Sequence, residues 1–589
     1  RTHDRVPVVR LHAVAALNRL QQHDDPECPV TAQYKELLAK DTAKDVRKAV
    51  LRSIIISRAT LSTVLERLRD VAADVRVEVF RTLSKVPVKK LKIAMRMHIL
   101  HCGLNDREPS VRTACRTLLL EQWLSQCDGS ILQLTRLFDV EQFQETSTLA
   151  VREILLSMNG DPSMNFADLP EIDVEISFLW RVACELAAEK QNDDLLEQLL
   201  CDCPVFCELL TTYQEDEFIM QQLLYILRHI DTSDEASRQM LIGLMADLLR
   251  TPATAEFLVA PAMLQLRRLM DTEDEYISRV MEVIRALRHP LHLITEKEES
   301  EEVSLAVRIR QLLEERTALR PLRDQANAEG DEEKFRSVSQ RMEEMRENIE
   351  ALLNKQRCRE ELREYLHMRC CTVTEALLNN TKENLSNPGV RDLLESVILP
   401  AIASTSDSAR VAGLQVLGMY CLLDRAAATR NLFYFVQALN EAPLSLPEKQ
   451  DELDENERNE EAYALQLTAM KSLFDFLMVF GHGQFGSDAP LPTDQREEDP
   501  SDVVLLLLHR LDLHEVPCCV RAVATEGFAK LLFSDLLQNN EILAKLVLLF
   551  FHPYTEEEQA LRQVLSLFFS AYSFKRIPHA VEHANNLEK

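Results

Sequence analysis

The chain has 589 residues, with 95 acidic and 67 basic side chains and a net charge of −28. Hydrophobic residues make up 46% and charged residues 28%, which is ordinary globular usage and excludes wholesale disorder. Only 12 glycines are present, about 2% against ~7% in average proteins, which argues against glycine-turn-rich α/β enzymes and β-sandwiches and leaves an all-α expectation. The charge is unevenly placed: residues 1–120 carry 23 Lys+Arg and 13 Asp+Glu, net +10, and the remaining 469 carry net −38. A polarised chain of this kind can engage nucleic acid through its basic end.

In chain order, the first signal is a repeat. Val-Arg pairs followed by an apolar helical face stand at Val9-Arg10, Val46-Arg47, Val75-Arg76 and Val111-Arg112, spaced by 37, 29 and 36 residues, and the same shape returns at Val151-Arg152, Ala409-Arg410 and Val520-Arg521. Acids precede the pair (Asp41 and Asp45, Asp70 and Asp74, Asp106). The period is that of helix-hairpin repeats and is similar to HEAT repeats, in which one hairpin buries its apolar face only by stacking on the next. The Asp is expected to cap the second helix, and the Arg to pair with an Asp of the adjacent repeat, as a ladder.

This predicts an all-α, HEAT-repeat α-solenoid with an inserted helical hairpin. Its parts are a solenoid over 1–290 with a basic end, a charged heptad hairpin over 296–369, and a second solenoid over 370–589. The heptad is Phe335, Val338, Met342, Met345, Ile349 and Leu352, facing an earlier helix with Leu305, Ile309, Leu312 and Leu319 across a turn at Ala328–Asp331; Pro321 ends or kinks that earlier helix. Solvated acidic loops are expected near 441–461 and 486–502, with a buried helix over Tyr463–Phe480 between them.

Catalytic and cofactor motifs find no support. Gly481-His482-Gly483-Gln484-Phe485-Gly486 matches G-x-G-x-x-G as a string, but a helix precedes it where a dinucleotide site needs a strand, so Gly481 reads as a helix C-terminal glycine. Cys201-x-Cys203-x-x-x-Cys207 lacks a paired zinc knuckle and sits among apolar residues. Most of the 14 cysteines lie in apolar helical runs, as in a reducing compartment, and no 18-residue apolar stretch or signal peptide is present. No cofactor, no metal and no membrane contact is expected.

The informative constellation is basic. Arg47, Lys48 and Arg52 share one second helix, Arg81, Lys85, Lys89, Lys90, Lys92 and Arg96 follow, and Arg116 comes one repeat later. No acid occurs from Arg81 to His101, a run of 21 residues with six bases, whereas solvated surface mixes signs. These ten residues are the candidate duplex-DNA patch, tracking phosphates without reading sequence. For Arg47, Arg76 and Arg112 the Arg–Asp ladder is the favoured role. Leu531, Phe533, Leu549 and Phe550, in apolar second-half helices, are candidate partner anchors.

The residues carry a family resemblance. Val8-Val9-Arg10 to Leu20 followed by DPECPV (Asp25–Val30), GLNDR (Gly103–Arg107), LLEQWL (Leu119–Leu124), IDTSDE (Ile230–Glu235), LESVILPAI (Leu394–Ile402) and ATEGFAKLLFSDLL (Ala524–Leu537) resemble, in order, the condensin subunit 3 family. The resemblance implies a non-catalytic subunit that holds the kleisin and double-stranded DNA, reaches the SMC ATPase subunits through the kleisin, and acts in mitotic chromosome condensation. It implies a location in the nucleus and on chromosomes in mitosis and in the cytoplasm in interphase. The chain opens on Arg1 inside the repeats, so the family's first repeats are expected to precede it. A HEAT scaffold or transport adaptor without DNA contact, or an enzyme-regulatory scaffold, remains open on the residues alone.

Overall fold

The computed structural model describes the chain apart from residues 23–27, 163, 165, 167, 168, 170, 252, 253, 290–310, 313, 314, 316–318, 320–331, 444–454, 482–502, 514, 515, 588 and 589. Its described secondary structure is helical, in two compact units, Arg1–Leu244 and Met245–Lys589.

Unit 1 holds α1 (Pro7–Leu17), α2 (Pro29–Lys40), α3 (Lys44–Ser53), α4 (Leu61–Glu66), α5 (Ala73–Leu83), α6 (Ile93–Leu104), α7 (Pro109–Thr117), α8 (Ile131–Thr135), α9 (Gln144–Ser157), α10 (Val174–Glu189), α11 (Asp193–Leu199), α12 (Cys203–Thr212) and α13 (Glu217–Ile226). Helix α14 (Glu235–Arg250) spans the division. Proline opens α1, α2 and α7, where its missing N–H costs nothing. Second helices stack in series, α1 on α3, α3 on α5 and α5 on α7, so each repeat supplies the apolar cover of the one before. The seam is close: a Cβ on Gly103 of α6 would lie 2.5 Å from the Cys115 Sγ of α7.

The ladder holds the first repeats. Arg10 Nε and Nη2 donate to Asp41 at 2.7 and 2.8 Å, Arg47 to Asp70 at 2.8 and 2.7 Å, and Arg76 to Asp106 at 2.7 and 2.9 Å. Each Nη1 also donates to a carbonyl of its own turn, those of Asp4, Asp41 and Asp70, at 2.7 Å. Arg112 makes the turn bond, to the Asp106 carbonyl at 2.6 Å, with no carboxylate partner among the described residues, so its expected ladder role is half fulfilled. Later Val/Ala-Arg positions pair with glutamates instead: Arg152 with Glu189, Arg410 with Glu441 and Arg521 with Glu558. The Asp is not the helix cap expected from sequence. Asp41, Asp70 and Asp106 each accept the N–H two residues on, from Ala43, Ala72 and Glu108, which braces the turn before the helix starts.

Unit 2 continues with α15 (Val259–Leu269), α16 (273–289), α17 (Glu332–Asn380), α18 (Pro388–Leu393), α19 (Leu399–Ile402), α20 (Asp407–Leu422), α21 (Arg425–Asn440), α22 (Glu455–Ala462), α23 (Ala464–Phe480), α24 (Val503–Leu508), α25 (Cys518–Phe533), α26 (Asn540–Phe551) and α27 (Gln559–Leu587). Again the second helices stack in series, α17 on α20, α20 on α23, α23 on α25 and α25 on α27. A Cβ on Gly527 of α25 would meet the Phe474 ring of α23 at 2.4 Å, so only glycine admits that approach.

Three expectations meet the structure differently. The boundary at 369/370 falls inside α17, a single helix of 49 residues whose last third, from Leu366 on, is buried against α15 and α20. Buried Leu312 and Met345 pack together with Leu319; the turn at 328–331, Pro321, Leu305 and Ile309 lie outside the described residues. The acidic stretch 455–461 is helical, because it lacks Gly and Pro and leads into α23; 444–454 and 486–502 lie outside the described residues.

Candidate nucleic-acid interface and partner face

The ten expected DNA residues separate into two groups. Arg47 is buried in the ladder with Asp70. Burial raises the Asp70 carboxyl, but the hydrogen bonds from Arg47 and from the Ala72 N–H, with the charges of Arg47 and Arg67, outweigh it and leave the group below the usual carboxylate range. Arg96 is 7% exposed and donates to the carbonyls of Val88, Leu91 and Leu137, with burial lowering its own affinity for the proton. Neither reaches a ligand: Arg47 takes the ladder role favoured for it from spacing, and Arg96, expected at the surface, is corrected to a packing residue. Arg52 pairs with Glu78 at 3.0 Å and Arg116 with Glu153 at 2.7 Å. Arg81 is exposed 3.6 Å from Glu78, and half-buried Lys48 lends its charge to Asp74.

Lys85, Lys89, Lys90 and Lys92 form the second group. They are exposed and make no ion pair among the described residues. Lys85 follows the end of α5, Lys89 and Lys90 lie on a 3₁₀ turn, and Lys92 is the residue immediately before α6. A helix N-terminus is the positive end of the backbone dipole, where an acid is the stabilising choice. Lysines gathered there raise the local positive potential, an arrangement suited to an outside anion.

The three thiols of residues 201–207 are buried or half-buried at the start of α12. Burial pushes Cys201 up to about 11 and Cys207 up to about 12, so both stay protonated. No group of three or more His, Cys, Asp and Glu among the described residues is arranged to hold an ion. Gly481 closes α23 with φ +77°, the helix-ending role read from sequence; 482–486 lie outside the described residues.

The expected anchors also divide. Leu531 and Leu549 are buried within unit 2, Leu549 on the inward face of α26, and are corrected to core residues. Phe533 is exposed, with Lys575 Nζ 5.1 Å from its ring centre, and Phe550 is half-buried against Phe569 and the Arg562 guanidinium. Their neighbours Leu548 and Phe551, in the same apolar run 546–551, are 69% and 76% exposed on α26, and on α27, which sequence reading did not single out, Leu567 and Phe574 are exposed.

Stacked helix hairpins joined by an Arg–carboxylate ladder define an all-α HEAT-repeat α-solenoid. Comparison with known proteins then specifies which one it resembles. Residues 369–588 match the family of nuclear condensing complex subunits, C-terminal domain. The chain resembles condensin complex subunit 3 along nearly its whole length: 27% identity to the Homo sapiens protein over 98% of this chain and 60% of the relative, and 28% to the Schizosaccharomyces pombe protein over 97% and 62%. The crystal structure of the S. pombe condensin Cnd3-Cnd2 subcomplex superposes with a TM-score of 0.69 at 25% identity, covering 98% of this chain and 64% of that one. The chain thus spans about 60% of the length of the curated relatives it matches.

Proposed function

We propose that this chain is a non-catalytic HEAT-repeat subunit of a condensin complex that binds the kleisin and sequence-nonspecific double-stranded DNA in mitotic chromosome condensation, and reaches the SMC ATPase subunits through the kleisin. The observation that carries the reading is the resemblance to condensin complex subunit 3 over nearly the full chain, joined to a structural likeness to a chain solved together with Cnd2. The net charge of +10 over residues 1–120, and the four unpaired lysines between α5 and α6, support DNA contact at that end. Phe533, half-buried Phe550 and the exposed apolar residues of α26 and α27 are the proposed kleisin seat, by their apolar character at the surface. The proposed organisation is a basic-ended solenoid over 1–290, the hairpin over 296–369 and an acidic solenoid from 370. The proposed location is the nucleus and chromosomes in mitosis and the cytoplasm in interphase.

Duplex binding measured with and without the kleisin's central segment tests this. The pair is expected to bind duplexes of unrelated sequence with equal affinity. Replacing Lys85, Lys89, Lys90 and Lys92 by Glu is expected to weaken binding at all sequences alike and flatten its salt dependence. A chain that captures the kleisin but no duplex is a scaffold without DNA contact; one that captures neither overturns the reading.

A further inference from the structure

The lysines occupy one edge of the first repeats, and the opposite edge is also cationic. Helix α5 runs 11 residues, about 16 Å, from the turn at 70–72 to the lysine turn, and α6 runs 12 residues, about 18 Å, back to the turn at 105–108. The within-repeat turns therefore line one edge of the stack and the between-repeat turns the other. Arg69 stands immediately before the ladder Asp70, and Arg107 immediately after the ladder Asp106. Both are exposed and form no ion pair among the described residues.

These two arginines line an open cleft of about 560 Å³, together with His101 and the 91%-exposed Val71. Its floor is formed by the ladder carboxylates Asp70 and Asp106, each already neutralised by a bidentate arginine, Arg47 and Arg76. The sign of the cleft is left to Arg69 and Arg107, so it favours an anion. The surroundings register that field: burial, then the charge of Arg69, then His101 hold His98 toward its neutral form, and Arg107 helps keep Asp106 ionised. A guanidinium that meets no carboxylate keeps its planar fork for phosphate oxygens.

We infer that Arg69 and Arg107 form a second duplex contact, so that one duplex lies across α5 and α6 with a phosphate backbone on each edge. The inference rests on the DNA reading above and adds a site to it. The separation of the edges, about 16–18 Å by helix rise, is of the order of a duplex major groove, about 12 Å wide, plus the reach of a side chain on each side. Contacts on both edges fix the direction in which the duplex crosses the repeats; a single edge leaves it free to swing. An acidic polypeptide is the competing occupant, and the regular offset of the two edges favours the duplex.

The test uses the full 589-residue chain, two short duplexes of unrelated sequence, and anisotropy titrations over a salt series. Arg69→Gln with Arg107→Gln is expected to weaken both duplexes about tenfold and to reduce the slope of log K against log salt by about 2. Arg69→Lys with Arg107→Lys is expected to restore most of the affinity. Lys89→Gln with Lys90→Gln is expected to give a comparable loss, with the quadruple variant losing both contributions. If the lysine variant weakens binding and the arginine variant does not, the second contact is wrong and the DNA reading stands. If neither changes the affinity, or no duplex binds, both fall. If the arginine variant keeps its duplex affinity but loses polyglutamate, the edge is a protein-docking surface. If the Arg→Lys variant binds as poorly as the Gln variant and its melting temperature drops, the arginines support only the fold. Either of these last two results overturns the inference.

Discussion

Arg47 and Arg96 show how differently two buried arginines announce themselves. Arg47 follows Val46 one period before Val75-Arg76, and its partner Asp70 sits at the ladder position, so its role was legible from spacing. Arg96 bonds only to backbone carbonyls of Val88, Leu91 and Leu137, and carbonyls carry no residue signature; in an acid-free run it looks like surface. The ladder has a measurable pH signature. Asp41, Asp70 and Asp106 are all held below the usual carboxylate range in the fold. Each therefore contributes stability that is fully present above its unfolded value of about 3.9 and is lost as pH falls through its lower folded value. Urea unfolding at neutral pH and near pH 3 is expected to show that loss. Asp70→Asn is expected to cost about 3 kcal/mol at neutral pH, by leaving the Arg47 charge buried, and to reduce the acid sensitivity. An Asp70→Asn protein with unchanged stability would make the ladder incidental.

At the scale of elements, the helices of both units followed from apolar periodicity, and boundaries were the weaker part. The 3–4 heptad of the inserted segment lapses after Leu352, where Gln356, Arg359 and Arg363 take the next positions, but no Gly or Pro interrupts α17 to mark a boundary with the stack. Burial marks it, from Leu366, Arg369 and Cys370 onward. Replacing 296–358 with a short Gly/Ser linker is expected to leave the thermal transition within a few degrees. Extending the excision to 369 removes Leu366 and Arg369 and is expected to lower the transition markedly. Equal effects from the two excisions would place the hairpin inside the core. The apolar run 546–551 of α26 misled too: period alone cannot separate Leu549, facing inward, from Leu548 beside it, facing out.

For the whole molecule, the division of charge was readable and the use of each charge was not, because pairing depends on which repeat lies next. Of the ten expected DNA residues, the four lysines between α5 and α6 kept an exposed, unpaired position, and Arg69 and Arg107 emerged only once the turns were placed on an edge. The proposed partner face yields a prediction at this scale. Leu548, Phe551, Leu567 and Phe574 expose apolar side chains to solvent, and a ligand of the folded state stabilises it by mass action. Adding the kleisin's central segment is expected to raise the melting temperature and slow amide exchange in α26 and the exposed part of α27. Unchanged exchange there would move the kleisin elsewhere.

The ladder also sets how the first repeats carry load. Each arginine is tied to its own turn and to the next repeat's aspartate, so the links lie in series along the chain. Under tension applied at the N-terminal end, the links are strained one after another. Rupture of one, once its repeat also peels from the apolar cover of the next, frees a period of 29 to 37 residues, about 100–130 Å of extended chain, before the next comes under full force. The basic end then lengthens in discrete steps, dissipating work at each, and slackens the pull on whatever is bound farther along.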